Sequence, residues 1–266
     1  MDSLHHNLPW LAQLVLLLPF VTGCVLYLIA IKFSAKRERL WPLSRTLFWI
    51  SGCILAALAV FGPLAILAHH NFFYHMLGHI LLGMLAPLLM VLGAPVTLLL
   101  RALPAESARR ISRLLKSRPV QFLGNPAVAS FLNIGGLWVL YVTPLYGAMH
   151  HVPLLHILIH LHIFIAGYVF TSSIIYIDPT PHRSSFRYRT IILLLALAGH
   201  SILAKYLYAH PPLHASVSQA EAGSMLMYYT GDFIDAILIF LLCQHWYKSA
   251  RPRVQKLNKQ EAQFHL

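Results

Sequence analysis

Four histidines stand in two pairs, His75 with His79 and His156 with His160, each four residues apart. Residues so spaced share a helix face and lie about 6 Å apart along the axis. Two such helices side by side can put three or four imidazoles around one ion. Imidazole suits copper, zinc and iron, and a thioether adds a preference for Cu(I). Met225 and Met227 carry thioethers at similar depth in a later apolar segment. His75, His79, His156 and His160 are therefore the candidate metal ligands, with His162, Met225 and Met227 as secondary candidates. The plainer alternative is that these rings hydrogen-bond between helices or sit in wet headgroup surroundings. Polar groups inside apolar segments are costly and tend to be functional, which favours the metal.

The elements that must position these rings follow from composition. Of 266 residues, 58% are hydrophobic and only 11% charged, against about a quarter charged in a soluble domain. The apolar residues fall in runs near the length of about 20 that a bilayer core demands of a helix. Seven spans are predicted: Pro9–Ile31, Thr46–Ala68, His75–Leu100, Val128–Tyr146, Val152–Ile177, Arg189–Tyr208 and Gly223–Gln244. The expected fold is all-α, an integral membrane bundle of seven transmembrane helices in a single polytopic domain over residues 1–266. Lipid offers a backbone no outside partner, so helices are the natural solution.

The net charge of +12 suggests nucleic acid at first sight. Its placement points elsewhere. All basic residues but Lys205 lie between spans one and two, three and four, five and six, or after span seven. Basic loops stay in the cytoplasm, so the N-terminus is expected outside and the C-terminus cytoplasmic. Within the loop 101–127, Ile111, Leu114 and Leu115 oppose Arg109, Arg110, Arg113 and Lys116, as in an amphipathic helix resting on anionic lipids. Residues 246–266 read as a flexible basic tail. The first span lacks a basic start and reads as a span, not a cleaved signal. Histidines take the opposite ends: only His182, His245 and His265 fall on the basic side.

A second polar set lies deeper. His200 and Lys205 are in span six, and Asp232 and Asp235, three apart, share a face of span seven. An ion-paired network between the two helices is the first reading. A proton relay, or support for a metal site, is the second. Cys24, Cys53 and Cys243 show no CxxC spacing and read as buried structural thiols. No activated nucleophile or acid/base pair stands out, so no enzyme is expected.

Several stretches, taken in order, carry a family resemblance. They are HMLGHILLGMLAPLLMVLGAPVTLLLRALP (His75–Pro104), NPAVASFLNIGGLWVLYVTPLYGAMHH (Asn125–His151), HILIHLHIFIAGYVFTSSIIYIDPTP (His156–Pro181) and SQAEAGSMLMYYTGDF (Ser218–Phe233). The chain resembles the multi-spanning CtaG family of bacterial cytochrome c oxidase assembly factors. It departs from the family pattern at Gly78, where glutamine is expected, and at Tyr228, where tryptophan is. The resemblance implies maturation of a haem-copper oxidase in the bacterial cytoplasmic (inner) membrane, around copper insertion. It implies oxidase subunits as partners, with an extracytoplasmic copper carrier. The family's motif histidines correspond to His75, His79, His156, His160 and His162, and its motif acid to Asp178, where a turn or cap role is expected. Two other functions compete: a haem-binding membrane protein, since facing helical histidines also ligate haem, and a copper or proton transporter using His160, His200 and Asp232.

Overall fold

The computed structural model describes residues 2–35, 40–212 and 215–250, with side chains from Trp10 onward. Among the described residues all regular structure is helical. In chain order the helices are α1 (Asp2–Ala35), α2 (Leu43–Val60), α3 (Pro63–His70), α4 (Phe72–Leu92), α5 (Pro95–Ala102), α6 (Ala105–Leu115), α7 (Arg118–Leu123), α8 (Pro126–Val142), α9 (Leu145–Met149), α10 (Pro153–Ile174), α11 (Phe186–Ala209) and α12 (Val217–Ala250). Six of these, α1, α2, α4, α10, α11 and α12, are long and apolar enough to cross a membrane. The remaining predicted span, the fourth, is represented by α8, apolar but shorter.

Three predicted spans are cut by local backbone chemistry. The second ends at Val60, because Gly62 takes a φ of 86° that favours glycine, and α3 starts afresh at Pro63. The third begins at Phe72, capped by Asn71, and stops at Leu92, where Ala94 adopts a left-handed φ of 51°. The fourth stops at Val142, leaving α9 separate. At the other end of the chain α12 continues to Ala250, so residues 246–250 are helical, contrary to the tail expected there; residues 251–266 lie outside the described ones. Cys53 is buried as expected, but Cys243 is exposed.

α4 is the axis of the bundle. Its apolar stretch is 61% buried, against a third or less in the other five long helices. It packs on α2, α3, α10 and α12. Pro87 shapes it. Proline has no N–H for the Gly83 carbonyl, and its ring crowds that oxygen. The helix answers with a π-turn over Leu81–Leu85, in which the Ala86 N–H donates to the Leu81 carbonyl. The Gly83 carbonyl is left facing α10, where a Cβ on Gly167 would collide with it. A second π-turn, Phe131–Gly135, interrupts α8, and His162 Nε2–H donates to the Leu132 carbonyl at 3.1 Å. Side chains that reach into the ladder are a common cause of such turns.

At the basic end Asp178 does cap a helix, but not its own. Its carboxylate accepts from the Val96 and Thr97 N–H groups (3.1 and 2.7 Å) and from the Thr97 hydroxyl (2.6 Å), at the start of α5. Ala94, in the capping position, has no side chain to do this. Asp178→Ala is expected to cost about 1–2 kcal/mol, the scale of a lost helix cap, with Asp178→Asn recovering part of it. Thermal unfolding in detergent measures this, and identical melting of the wild type and the alanine variant would refute the role. Nearby, Arg189 is buried and donates to the Ile174 carbonyl at 2.5 Å, tying α11 to the end of α10. The expected amphipathic helix is present as α6, with Glu106 and Arg110 paired at 2.6 Å.

Candidate metal centre

The predicted histidines are divided between two chambers. The first lies at the histidine-rich end between α3, α4 and α10. Its cavity volume is about 10 Å³, and His69, His75, Met149, His150, His156 and His160 are on its wall. The second lies deeper, with a volume of about 30 Å³, and is lined by His79, Met84, Asn133, His200 and Asp235 within apolar walls.

In the outer chamber His156 and His160 follow one helix face, and their ring centroids are 4.1 Å apart. The His160 Nδ1–H donates to the His156 carbonyl at 2.9 Å. That bond fixes the tautomer of the neutral ring and leaves the Nε2 lone pair for a ligand. His156 Nδ1 is buried without a hydrogen-bond partner. His69 stacks on His156 with centroids 4.8 Å apart. Burial, and secondarily the charge of His70, lower the His69 pKa, which favours the neutral ring that a metal requires. His75 is 95% buried, and its Nε2 lies 3.0 Å from the Tyr141 hydroxyl.

In the deep chamber neither nitrogen of His79 nor of His200 has a hydrogen-bond partner. Their ring centroids are 6.4 Å apart. Gly231 makes room for His200: a Cβ there would come within 2.5 Å of the ring.

Three expectations need correction. First, the two histidine pairs do not surround one point. His79 joins His200 instead of His75, and among the described residues no three His, Cys, Asp or Glu side chains stand ready to hold a metal ion. Positions i and i+4 differ by about 40° around the axis and 6 Å along it, enough to open on different cavities. Second, the thioether of the outer chamber belongs to Met149. Met227 is sealed in the core with Phe72 and Met76, and Met225 lies on an exposed groove beside Lys205. Third, the ion-paired layer is not formed among the described residues. Asp232 accepts from the Ser201 hydroxyl at 3.1 Å, while exposed Lys205 sits over the Tyr228 ring, 5.1 Å from its centroid. His162 is exposed and turned toward α8.

Met84, Tyr141 and Asn133 were not singled out from sequence. Met84 is five residues beyond His79, off its face in a regular helix, yet it lines the same chamber, from within the π-turn. His69 and His150 carried the weak signal of paired surface histidines.

Comparison with known proteins gives the chain relatives. The chain is similar to an uncharacterized protein of Mycobacterium bovis (strain ATCC BAA-935 / AF2122/97), with 34% identity over 180 residues, 64% of this chain and 27% of that protein. An uncharacterized protein of Mycobacterium leprae (strain TN) is 31% identical over 168 residues, 60% of this chain and 26% of that one. The chain thus spans about a quarter of the length of these relatives. No solved structure matches. The profile of the cytochrome c oxidase caa3 assembly factors (Caa3_CtaG) matches residues 25–249, which takes in both chambers and every helix that lines them. The chain belongs to the cytochrome c oxidase caa3 assembly factor family.

Proposed function

We propose that this chain is a non-enzymatic assembly factor that holds Cu(I) in the outer chamber on its way into a haem-copper oxidase. The observation that carries the reading is the meeting of His156, His160, His75 and His69 on one small cavity, with His156 Nδ1 unpartnered and His160 Nε2 left for a ligand. A closed zinc site wants four tetrahedral ligands, and no ready trio is present among the described residues. Cu(I) is content with two or three soft or borderline donors, and paired imidazoles with the Met149 thioether match that demand. His156 and His160 would hold the ion, with His69, His75 and Met149 completing its surroundings. The ion itself is the cargo delivered to the oxidase.

The setting is a bacterial cytoplasmic membrane crossed seven times, with α8 as the seventh crossing, the N-terminus outside and the C-terminus in the cytoplasm. The charge asymmetry of the loops supports this orientation. It places the outer chamber where an extracytoplasmic copper carrier would arrive and where oxidase subunits could receive the metal. The apolar outer faces of α1, among them Leu11, Leu14 and Leu18, would meet lipid.

The alternatives have less support. Haem would need a pocket in the range of about 300–1,000 Å³, far above either chamber. A transporter needs a polar path, and toward the basic end the deep chamber abuts an apolar layer of Leu88, Phe170, Ile174, Leu238 and Leu242.

The test is Cu(I) titration of the purified full-length protein in detergent, under anaerobic conditions, against a chromogenic Cu(I) chelator. His156→Ala with His160→Ala is expected to remove one Cu(I) equivalent, or to weaken it by more than about 100-fold, since the loss of a merely supporting residue already costs up to that much. Full stoichiometry and unchanged affinity in that double variant would sink the reading.

A further inference from the structure

We infer that the deep chamber is a second soft-metal site, in which His79, His200 and Met84 take one Cu(I) ion. It lies on other helices than the outer pair and does not require the outer chamber to hold metal.

Three independent features of the chamber converge. The first is a shortage of partners. Buried polar groups in folded proteins are almost always hydrogen-bonded, yet four imidazole nitrogens, two on His79 and two on His200, have no protein partner here. Both rings are at least 95% buried. Something polar or cationic must answer them.

The second is the backbone. π-turns carry an extra residue per turn at some cost in hydrogen-bond geometry and concentrate at functional sites. Among the described residues there are two, Leu81–Leu85 and Phe131–Gly135. Both line this chamber, the first through Gly83 and Met84, the second through Asn133 and Ile134. His79 stands just before the first turn and Met84 within it, and both line the chamber.

The third is the chemistry of the donors. Two imidazoles and a thioether form a set that selects Cu(I) over harder ions. The two rings are neighbours across the chamber, with centroids 6.4 Å apart and planes inclined by 30°. The cavity volume of about 30 Å³ exceeds the roughly 10–15 Å³ that a single water-sized body occupies. Asp235 on the same wall supplies a carboxyl whose anion would offset the single positive charge, which matters because an unpaired charge inside a membrane is expensive. Bound water, the other candidate occupant, would satisfy the imidazoles but has no need of the thioether.

The experiment uses the full-length protein in detergent with Cu(I) alone as the probe. In the wild type, two Cu(I) per chain are expected. In the His156→Ala/His160→Ala background one should remain, and its X-ray absorption spectrum should show nitrogen and sulfur neighbours. Adding Met84→Leu, which keeps the volume, should remove the sulfur shell and weaken binding about tenfold. Adding His200→Ala should abolish the remaining equivalent. Retention of that equivalent in the His200→Ala protein, or a copper shell without sulfur before Met84 is changed, would overturn the proposal. So would a wild-type count of one that vanishes in the outer double variant, leaving water as the occupant. The last result would leave the outer-chamber reading intact, whereas a wild-type count of one that survives in the double variant would sink the outer reading and uphold this one.

Discussion

Gly167→Ala is expected to deplete the folded protein severely. At this position α10 meets α4 backbone to backbone: a Cβ would fall on the Gly83 carbonyl oxygen, with the Pro87 ring 3.3 Å away. Neither neighbour is the yielding tip of a long side chain. The Gly83 oxygen is held out by the π-turn that Pro87 imposes, and Pro87 cannot turn its ring away. Accommodating one methyl group therefore means moving two helices apart along the most buried element of the bundle. Overpacking a well-filled interior costs about 1–3 kcal/mol and occasionally more, and this site offers only backbone to push against. A cost of about 3 kcal/mol or more is a large part of a stability of about 5–15 kcal/mol. The check is fluorescence-detected size exclusion after extraction, with thermal unfolding of whatever survives. Gly23→Ala is the control: its Cβ would rest at an ordinary 3.6 Å from the Trp49 ring, so a change below about 1 kcal/mol is expected, the usual range for surface-like sites. Equal melting of both variants and the wild type would mean that α4 and α10 do not cross in this way.

The second large effect is functional. In cells that depend on this chain, His156→Ala with His160→Ala is expected to lower cytochrome c oxidase activity and the copper content of the oxidase about tenfold or more, while the variant accumulates normally. Both rings border a cavity, so truncating them enlarges a space instead of opening a packed core. Removing even the residues that support a metal's ligands weakens binding by one or two orders of magnitude, and His156 and His160 are the proposed ligands. By mass action, excess copper in the medium should then restore part of the activity. His162→Ala is the informative comparison. It shares the helix and the motif, but its ring is exposed and turned to the Leu132 carbonyl, so oxidase activity should stay near the wild-type level. Full oxidase activity in the double variant would remove the outer chamber from the copper route. A loss as deep in His162→Ala would move the site to the α8 side of α10.

Much of the architecture was readable from local features. The apolar runs become helices because a bilayer-length hydrophobic segment has few other ways to satisfy its backbone. Residue types also pointed to side chains that meet, since His75, His156 and His160 share one cavity. The breaks were less visible. Gly62 was legible only as one glycine among several, and Ala94 gave no signal, because a left-handed alanine depends on the caps and packing around it. Asp178 reads from sequence as a turn or cap residue, but that it caps α5 from some 80 residues away is a matter of chain path.

The amino-acid sequence by itself determined an all-helical, membrane-type chain whose histidines and cations gather at opposite ends, because hydrophobic length, helical spacing and side-chain type act locally. Only the tertiary structure decided which imidazoles meet. The Pro87 π-turn changes the phase of α4 after His79, and Gly83 with Gly167 lets α10 close against it. The offset of about 40° and 6 Å between His75 and His79 follows from their spacing, but which cavity each ring opens on depends on the helices packed around α4: His75 meets the outer chamber, and His79 meets His200 and Met84 in the deep one.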